Sequence, residues 1–225
     1  MSKVLVGLSG GVDSAVAALL LKQQGHQVIG VTMSVWDGEY KEVVGDACFG
    51  PNEQKDIEEA QAVANFIDIP YHIIDCKKEY SDIVLDYFRS EYLAGRTPNP
   101  CIRCNQQVKL GILPQFATES GIEYDFFATG HYAQKAFDEN TKRYFLKTAP
   151  DLKKDQTYFL YRISQKQLER HIFPIGHLTK QEVRAIAQEY NLPVKDKEES
   201  QDFYCGDYKD ILGVEDTPGD IILTN

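Results

Sequence analysis

The sequence predicts an α/β fold with a doubly wound parallel sheet, because strand-like and helix-like segments alternate along it. Residues 3–8 form a short apolar run, and a glycine-rich turn follows. Apolar residues then recur at helical spacing as far as Gly25, and residues 27–35 have the pattern of a second strand. The first 35 residues therefore predict a strand–helix–strand unit that begins with a glycine-rich loop.

The later segments continue this alternation. The sequence predicts helices over 54–68, 78–93, 106–119 and 179–190, strands over 71–75 and 125–130, a hairpin around 133–147, and loops over 36–53 and 95–105. Thr179 and Glu182 form a capping-box pattern at the start of the last helix. Residues 218–223 look like the beginning of a further element. The loops after positions 8, 35 and 129 follow the carboxyl ends of predicted parallel strands, so they should meet at the same edge of the sheet. In such sheets this edge is where ligands bind.

Size and composition narrow the class of protein. The chain has 225 residues, 43% of them hydrophobic and 26% charged, which suits one large soluble domain. No stretch approaches the roughly 20 apolar residues that span a membrane, and the first residues lack a signal-peptide pattern. These features predict a cytoplasmic protein with no membrane partner. Five cysteines are an odd number for a disulfide framework, so metal, cluster or sulfur chemistry is favoured.

The charge is unevenly distributed along the chain. The net charge of −10 by itself argues against a nucleic-acid partner. Residues 141–180, however, contain nine basic and three acidic residues, so that stretch carries +6 while the rest carries −16. A local basic surface is compatible with RNA binding, although a solvated charged surface explains most such stretches.

The strongest local signal is the string Gly7-Leu8-Ser9-Gly10-Gly11-Val12-Asp13-Ser14. Its glycines allow backbone N–H groups to approach an anion, and the following helix directs its positive end to the same place. An aspartate beside bound phosphate suggests an intervening Mg²⁺. The string lacks the lysine of a Walker A loop, and the simpler interpretation is a tight strand–helix turn.

Two cysteine-containing segments are the next candidates. Residues 99–105 contain Cys101 and Cys104 in a CxxC pair, which suits half a zinc site, a redox pair or part of a cluster. Cys205 lies in the segment ESQDFYC. We expect Cys76 to be a small buried apolar residue and assign no role to Cys48.

Five motifs occur together: SGGVDS, TPNPCIRCN, ATGHYA, KDQTYFL and ESQDF. In this combination and order the chain resembles the tRNA-specific 2-thiouridylases, members of the PP-loop ATP pyrophosphatase superfamily. The resemblance extends from about residue 3 to the end of the chain. It implies an ATP-dependent RNA sulfurtransferase that adenylates the C2 carbonyl of a uridine, expected to be a tRNA wobble uridine. The oxygen would be replaced by sulfur, with release of AMP and pyrophosphate.

The resemblance also implies roles for individual residues. Cys104 would be the nucleophile, Cys205 the persulfide carrier, and Asp13 a further catalytic residue beside Mg²⁺. The ATP-binding residues would be Gly7, Leu8, Ser9, Gly10, Gly11, Val12, Asp13, Ser14, Met33 and Gly130. The residues facing the RNA or its target base would be Asn99, Pro100, Cys101, His131, Lys154, Asp155 and Gln156.

Two routes for the sulfur remain open at the level of sequence. In one, Cys205 carries a persulfide received from a sulfur-carrier protein, and Cys104 completes the transfer and leaves a disulfide to be reduced. In the other, Cys101, Cys104 and Cys205 hold a [4Fe–4S] cluster whose fourth iron binds hydrosulfide. The second route gives all three cysteines a task and is slightly favoured for that reason.

The predicted organisation is a PP-loop domain over residues 1–205, with an RNA-contacting insert at about 141–180. Residues 206–225 would begin a central domain that the resembling family has and this chain leaves incomplete. Three alternative functions remain: thiolation of another RNA base, amidation of an adenylated carbonyl by ammonia, and a non-catalytic module that binds a nucleotide or a cluster. The sequence does not indicate the oligomeric state.

Overall fold

The centre of the computed structural model, which describes residues 1–38, 47–200 and 202–215, is a five-stranded parallel sheet. Its strands are β1 (Lys3–Gly7), β2 (Gln27–Ser34), β3 (Tyr71–Asp75), β4 (Phe126–Ala128) and β7 (His171–Ile172), while β5 (Gln134–Asp138) and β6 (Arg143–Lys147) form a separate antiparallel hairpin. The order across the sheet is β3-β2-β1-β4-β7. The predicted parallel α/β fold and the predicted hairpin are therefore confirmed.

Helices cover both faces of this sheet. They are α1 (Val12–Gln23), α2 (Glu53–Phe66), α3 (Lys77–Tyr80), α4 (Asp86–Leu93), α5 (Pro100–Arg103), α6 (Leu113–Glu119), α7 (Thr157–Leu160), α8 (Gln165–Arg170), α9 (Lys180–Glu189) and α10 (Tyr208–Leu212). Two π-helical segments, Ser81–Leu85 and Cys104–Ile112, join α3 to α4 and α5 to α6. Segments of this kind are rare and often occur at functional sites. None of the helices in the described ranges is long and apolar enough to cross a bilayer.

The sheet separates two apolar cores. Val4 and Val6 of β1 point into a core formed with α1, α2 and α9, whereas Leu5 points into a core formed with the helices between β3 and β4. This division follows from the alternation of side chains along a strand. All three residues are fully buried, as expected for the central strand of a parallel sheet.

The chain order produces a switch point beside β1. From β1 the chain first extends the sheet on one side through β2 and β3, and later on the other side through β4 and β7. The connections that leave β1 and β4 therefore diverge, and a crevice opens between them at the carboxyl ends of the strands. The predicted meeting place of the loops is confirmed.

The prediction of a loop over residues 95–105 is wrong for its second half, because a helix begins at Pro100. The Asn99 side chain accepts a hydrogen bond of 3.3 Å from the Ile102 N–H, and Pro100 occupies the first helical position, where its missing N–H has no cost. The predicted loop therefore contains a helix start. The elements predicted from sequence did not include β7, α8 or α10.

The packed structure continues beyond residue 205. The Arg89 Nε donates a hydrogen bond of 2.6 Å to the Ile211 carbonyl, and the Tyr208 ring lies 5.1 Å from the Phe88 ring. Ile211 is fully buried. Helix α10 thus packs on α4. The predicted domain boundary at residue 205 stays a prediction. The predicted element at 218–223 lies outside the described residues, as does part of the predicted loop at 36–53.

The burial of Leu5 gives a test of this core. Leu5→Ala removes a fully buried side chain from the central strand, and we expect a loss of about 2–5 kcal/mol in the free energy of unfolding. Chemical denaturation followed by circular dichroism measures the loss. Leu152→Ala is the matched control, because that leucine is 74% exposed. Equal losses for the two variants would show that the core is assigned wrongly.

Candidate active site

The loop between β1 and α1 is closed by its two serines. The buried Ser14 hydroxyl donates to the Gly11 carbonyl over 3.1 Å and accepts from the Ser9 N–H over 3.2 Å. The Ser9 hydroxyl is exposed and lies 3.3 Å from that of Ser14. Ser14 therefore stabilises the turn of the loop by hydrogen bonds to its backbone. The Ser9 hydroxyl stays exposed to solvent.

Glycine is required at two positions of the crevice. Gly10 has a φ of +69°, and a β-carbon there would lie 2.5 Å from the Asp56 carbonyl oxygen. A β-carbon on Gly130 would lie 2.7 Å from the Asp13 carbonyl carbon and from the Ser14 nitrogen. The loop after β4 thus packs directly on the backbone of the loop after β1. Gly130 therefore lies beside the other residues that are predicted to bind the nucleotide.

Helix α1 directs its positive end into the same crevice. It begins at Val12, and the preceding Gly11 has extended backbone and no side chain with which to cap the helix. The first N–H groups of a helix have no partner within it, so they and the helix dipole attract an anion.

Three of the residues predicted to bind the nucleotide are at least partly buried. Leu8 and Val12 are buried and face the core. The partly buried Met33 lies near the end of β2, next to this crevice.

Asp13, in the first turn of α1, is bound by a lysine from another part of the chain. The Lys180 Nζ lies 2.8 Å from Asp13 Oδ1 and 3.0 Å from Asp13 Oδ2. The Tyr132 hydroxyl donates to Oδ1 over 2.8 Å. Burial and the Asp13 charge raise the pKa of Tyr132 and keep it a hydrogen-bond donor. The sequence suggested Mg²⁺ as the cation beside Asp13, and in this structure the Lys180 ammonium occupies that position.

The same ammonium group also binds Glu199. Lys180 forms an ion pair with this carboxylate, and Lys154 forms a second one at 2.6 Å. Burial alone would raise the pKa of Glu199, but the two ammonium groups hold it below its usual value. The result is a continuous chain of alternating charges, Asp13–Lys180–Glu199–Lys154, which we call the charge chain.

The CxxC pair lies at the start of a helix and is half-buried. Cys101 is in α5, and Cys104 is the first residue of the π-helical segment Cys104–Ile112. Burial raises the pKa of Cys104 to about 12, although the Lys109 charge acts in the opposite direction. Burial also raises the pKa of Cys101, to which the charges of Cys48 and Asp202 contribute. Both cysteines are therefore neutral thiols at neutral pH.

Two amides directly after Cys104 are unusual. The Asn105 Oδ1 and Gln106 Oε1 atoms are buried and accept no hydrogen bond in the structure. An unsatisfied buried acceptor costs about 1–3 kcal/mol, and such atoms in folded proteins call for an explanation such as a functional role or a bound water. Together with the π-helical backbone, they mark the surroundings of Cys104 as a candidate for substrate contact.

The segment that contains Cys205 is fixed by pairing with a distant part of the chain. Ala47 forms a parallel bridge with Asp202, and the Phe49 N–H donates to the Phe203 carbonyl over 2.9 Å. Phe203 is buried, whereas Cys205 is half-buried. Phe203 belongs to the same apolar core against which Cys101 and Cys104 pack.

The three cysteines proposed for a cluster do not form a ligand set in this structure. Within residues 1–38, 47–200 and 202–215, no three His, Cys, Asp or Glu side chains are grouped so that they could hold a metal ion. A [4Fe–4S] cluster on three thiolates needs Cys101, Cys104 and Cys205 close together. The arrangement of these thiols does not fit the cluster without rearrangement.

His131 is part of a buried hydrogen-bond relay. Its Nδ1 lies 2.7 Å from the Thr129 hydroxyl, which also lies 2.9 Å from the His171 Nε2. Burial lowers the pKa of His131 well below its usual value and that of His171 to about 3, so both imidazoles are neutral. Because one hydroxyl joins both rings, the tautomer of one imidazole constrains that of the other.

The motif at residues 154–156 makes mainly internal contacts. The Asp155 carboxylate accepts hydrogen bonds from the Ala149 N–H over 2.9 Å and the Thr157 hydroxyl over 2.5 Å. The Gln156 Oε1 accepts from the Tyr132 N–H over 2.9 Å. Lys154 ends the charge chain. The predicted RNA contacts of these three residues, and of Asn99 and Pro100, stay predictions.

Sequence reasoning missed several residues of the site. Tyr132 and Glu199 lie inside the motifs ATGHYA and ESQDF, so a role for each could have been sought there. Thr129 is also in the first of these motifs. Lys180 and His171 have no local signal, because their partners are brought to them only by the fold.

A parallel sheet with a glycine-rich loop at its switch point and a helix end facing the crevice defines an α/β nucleotide-binding domain of the HUP class. The chain belongs to the family of tRNA methyl transferase HUP domains, whose sequence model matches residues 2–205.

The curated relatives carry a more specific name. The chain is 55% identical over 226 residues to a tRNA-specific 2-thiouridylase MnmA of Endomicrobium trichonymphae, and the match covers 99% of this chain and 62% of that protein. A second MnmA, from Carboxydothermus hydrogenoformans, is 43% identical with the same two coverages of 99% and 62%. The resemblance to the 2-thiouridylases is therefore confirmed. The chain spans less than two thirds of the length of these relatives.

Solved structures share the fold at low sequence identity. An NMN synthetase from Francisella tularensis superposes with a TM-score of 0.51 at 17% identity, covering 88% of this chain and 66% of that one. A 4-thiouridine synthetase in complex with RNA and ATP has the same TM-score of 0.51 and identity of 17%, covering 88% of this chain and 43% of that one. At this identity the likeness shows the fold alone.

The burial of Cys104 predicts a pH dependence. Since its pKa is about 12, we expect its alkylation rate by iodoacetamide to rise about tenfold per pH unit between pH 7 and pH 10, because only the thiolate reacts. Mass spectrometry of peptides resolves each cysteine. The exposed Cys48 is the comparison, and it should react faster than Cys104 at neutral pH. A plateau in the Cys104 rate below pH 9 would contradict the assignment.

Proposed function

We propose that this chain carries out ATP-dependent sulfur insertion at C2 of a uridine in RNA, and that the RNA is a tRNA. The single observation that carries the proposal is the meeting of the five motifs at one site. Asp13 of SGGVDS, Tyr132 of ATGHYA, Lys154 of KDQTYFL and Glu199 of ESQDF are linked through Lys180. The fifth motif joins them because helix α5, which contains Cys101, packs against helix α7 of KDQTYFL.

The crevice suits the polyphosphate of ATP. The backbone of residues 7–14, the Ser9 hydroxyl and the first N–H groups of α1 would provide donors, and Gly130 lets the loop after β4 pack directly on the backbone of Asp13 and Ser14. Mg²⁺ held by Asp13 would offset phosphate charge and stabilise the leaving pyrophosphate. A 4-thiouridine synthetase with the same fold has ATP bound, which supports this choice of nucleotide.

The reaction we propose begins with adenylation. The uracil O2 attacks the α-phosphorus of ATP, and pyrophosphate leaves from the α–β bond. The terminal sulfur of a Cys205 persulfide then attacks C2, and AMP leaves with the former carbonyl oxygen. The Cys104 thiolate attacks the Cys205 sulfur, which forms a Cys104–Cys205 disulfide and releases 2-thiouridine. An external thiol reductant restores both thiols, and the Cys205 thiolate then attacks the terminal sulfur of a persulfide carrier, whose own thiolate leaves.

The state of Cys104 is consistent with this order of events. With a pKa raised to about 12, Cys104 is a protonated thiol at neutral pH and reacts slowly until its surroundings change. The Lys109 charge lowers its pKa against the effect of burial and is the local cation that favours the thiolate. Cys205 is half-buried and can accept sulfur from a donor at the surface. We propose the persulfide route because the three thiols are not grouped as cluster ligands.

A surface beside the CxxC pair suits single-stranded RNA. A groove between β6 and α7 is lined by Phe145, Tyr158 and Tyr161, which are 45%, 58% and 65% exposed, and by Arg143. Exposed aromatic rings next to basic groups are typical of surfaces on which unpaired bases stack. Helix α7, which contains Tyr158, packs against α5, which contains Cys101, so the groove lies close to that thiol. The basic segment at 141–180 contributes this surface.

Mass spectrometry of nucleosides tests the function. We expect unmodified tRNA incubated with the protein, ATP, Mg²⁺ and a persulfide donor to gain 2-thiouridine. Cys104→Ser and Cys205→Ser should lower its yield at least about 100-fold, because each removes an obligatory sulfur step. Cys48→Ser is the control and should retain activity, since this exposed cysteine has no part in the proposed route.

The same assay separates the alternatives. Activity retained in both serine variants with ammonia as the donor would favour amidation. Sulfur incorporation lost on removal of iron from the anaerobic protein would favour the cluster route over the persulfide route. Absence of pyrophosphate release with tRNA present would favour the non-catalytic module.

The crevice packing predicts a nucleotide-affinity defect. Gly130→Ala places a β-carbon 2.7 Å from the backbone of Asp13 and Ser14, so the loop must move. We expect the dissociation constant for ATP, measured by isothermal titration calorimetry, to rise about tenfold or more, equivalent to at least about 1.4 kcal/mol. Gly50→Ala is the control, because its β-carbon meets no atom within 4 Å. Unchanged affinity in Gly130→Ala would refute the placement of the nucleotide.

A further inference from the structure

A buried hydroxyl group joins two histidines next to the crevice. The Thr129 Oγ1 lies 2.7 Å from the His131 Nδ1 and 2.9 Å from the His171 Nε2, and all three side chains are buried. Thr129 and His131 flank Gly130, which packs on the loop after β1, whereas His171 belongs to β7. These three side chains therefore connect β7 to the crevice.

The single proton of this hydroxyl group restricts the states of the two rings. Burial lowers the pKa of both histidines far below neutral pH, so each imidazole has one N–H and one lone pair. The Thr129 hydroxyl makes no other hydrogen bond within the described residues, so it donates to one ring and accepts from the other. Both rings therefore carry their proton on Nε2, or both carry it on Nδ1.

A lysine beside His171 selects between these two states. The Lys135 Nζ donates a hydrogen bond of 2.7 Å to the His171 carbonyl, and its charge lowers the pKa of that imidazole. Nδ1 is the ring nitrogen nearer to the main chain, and the ammonium charge disfavours a proton there. His171 therefore carries its proton on Nε2 and donates it to Thr129. The Thr129 hydroxyl in turn donates to the His131 Nδ1.

The other ring nitrogen of His131 is open to a ligand. Within the described residues the ring makes its only hydrogen bond through Nδ1, and Nε2 is not among the buried polar atoms that lack a partner. Nε2 is thus reachable from solvent, and it belongs to the residue that follows the glycine packed against Asp13 and Ser14. When Nδ1 accepts from Thr129, Nε2 carries the hydrogen and is a neutral donor beside the crevice.

We propose that His131 is a specificity-determining residue that donates from Nε2–H to the O4 carbonyl of the target uracil, and that Thr129 and His171 position it by fixing this tautomer. The inference rests on the proposed function, in which O2 attacks ATP, so O4 is the carbonyl left for recognition. Cytosine has an amino group in place of O4, so two donors would meet there. A site built for one hydrogen-bond pattern rejects the other.

NMR of the protein with 15N-labelled histidine rings tests the tautomer directly. We expect His131 and His171 to carry a proton on Nε2 and none on Nδ1, because the shared hydroxyl couples them. The resonances of His26, His72 and His177 serve as internal references. A proton on the His131 Nδ1 overturns the inference, whether or not any variant folds.

Anticodon stem–loops with uridine or cytidine at the wobble position test the specificity. By fluorescence anisotropy we expect the original protein to bind the uridine form about tenfold more tightly. Thr129→Val keeps the shape of the side chain and removes the hydroxyl, so the preference should fall below about threefold. Thr129→Ser keeps a hydroxyl and should restore the preference.

A matched control separates the tautomer from the packing of the rings. The Phe173 ring lies 6.3 Å from the His131 ring and 4.5 Å from the His171 ring and makes no hydrogen bond to either. Phe173→Leu should therefore change neither the tautomers nor the preference for uridine. A loss of preference equal to that of Thr129→Val would show that packing alone matters and would refute the positioning role.

The outcomes distinguish this inference from the function on which it rests. If the protein forms 2-thiouridine but binds the two stem–loops equally, the inference is refuted and the proposed function stands. The same conclusion follows if Thr129→Val folds and keeps the full preference. If the protein forms no 2-thiouridine and binds neither stem–loop, the proposed function is refuted together with the inference.

Discussion

The site depends on a contact between two backbones. At the switch point of the sheet, Gly130 lies against the peptide that joins Asp13 to Ser14, at a separation that excludes any side chain. This contact fixes the loop after β4 on the loop after β1 and shapes the crevice into which helix α1 points. Tyr132 and His131 follow Gly130 directly, so their positions depend on the same contact.

Charge compensation is the second constraint. An aspartate in the first turn of a helix is stabilised by the helix dipole, but beside bound phosphate it needs a cation. In this structure the cation is Lys180, which also binds Glu199. The fold thus places an ammonium group at the carboxylate of the glycine-rich loop, and through Glu199 it links this loop to the segment that contains Cys205.

Burial around the thiols is the third constraint, and it concerns their reactivity. A thiol with a pKa of about 12 is almost entirely protonated at neutral pH, and the protonated form reacts slowly with electrophiles. The π-helical segment after Cys104 and its two buried amide oxygens, which accept no hydrogen bond from the described residues, place an energetically costly arrangement beside this thiol.

The sequence by itself determined the sheet, the nucleotide loop and the CxxC segment. These depend on local patterns: apolar runs, glycines at a strand–helix junction, and cysteine spacing. It also determined the family, since the five motifs occur in order. It failed where a short element has no periodic signal, as for the two-residue strand β7, and where the Asn99 cap begins a helix inside a proline-containing segment.

Only the tertiary structure decided which charged groups meet. Lys180 is an ordinary lysine at the start of an amphipathic helix until the packing of α9 on α1 brings it to Asp13. Likewise, the cysteine spacing allowed a cluster, but among the described residues no three such side chains are grouped as metal ligands. The physical reason is the same in both cases: ion pairs and ligand sets depend on distances between residues far apart in the chain, and local sequence patterns carry no information about those distances.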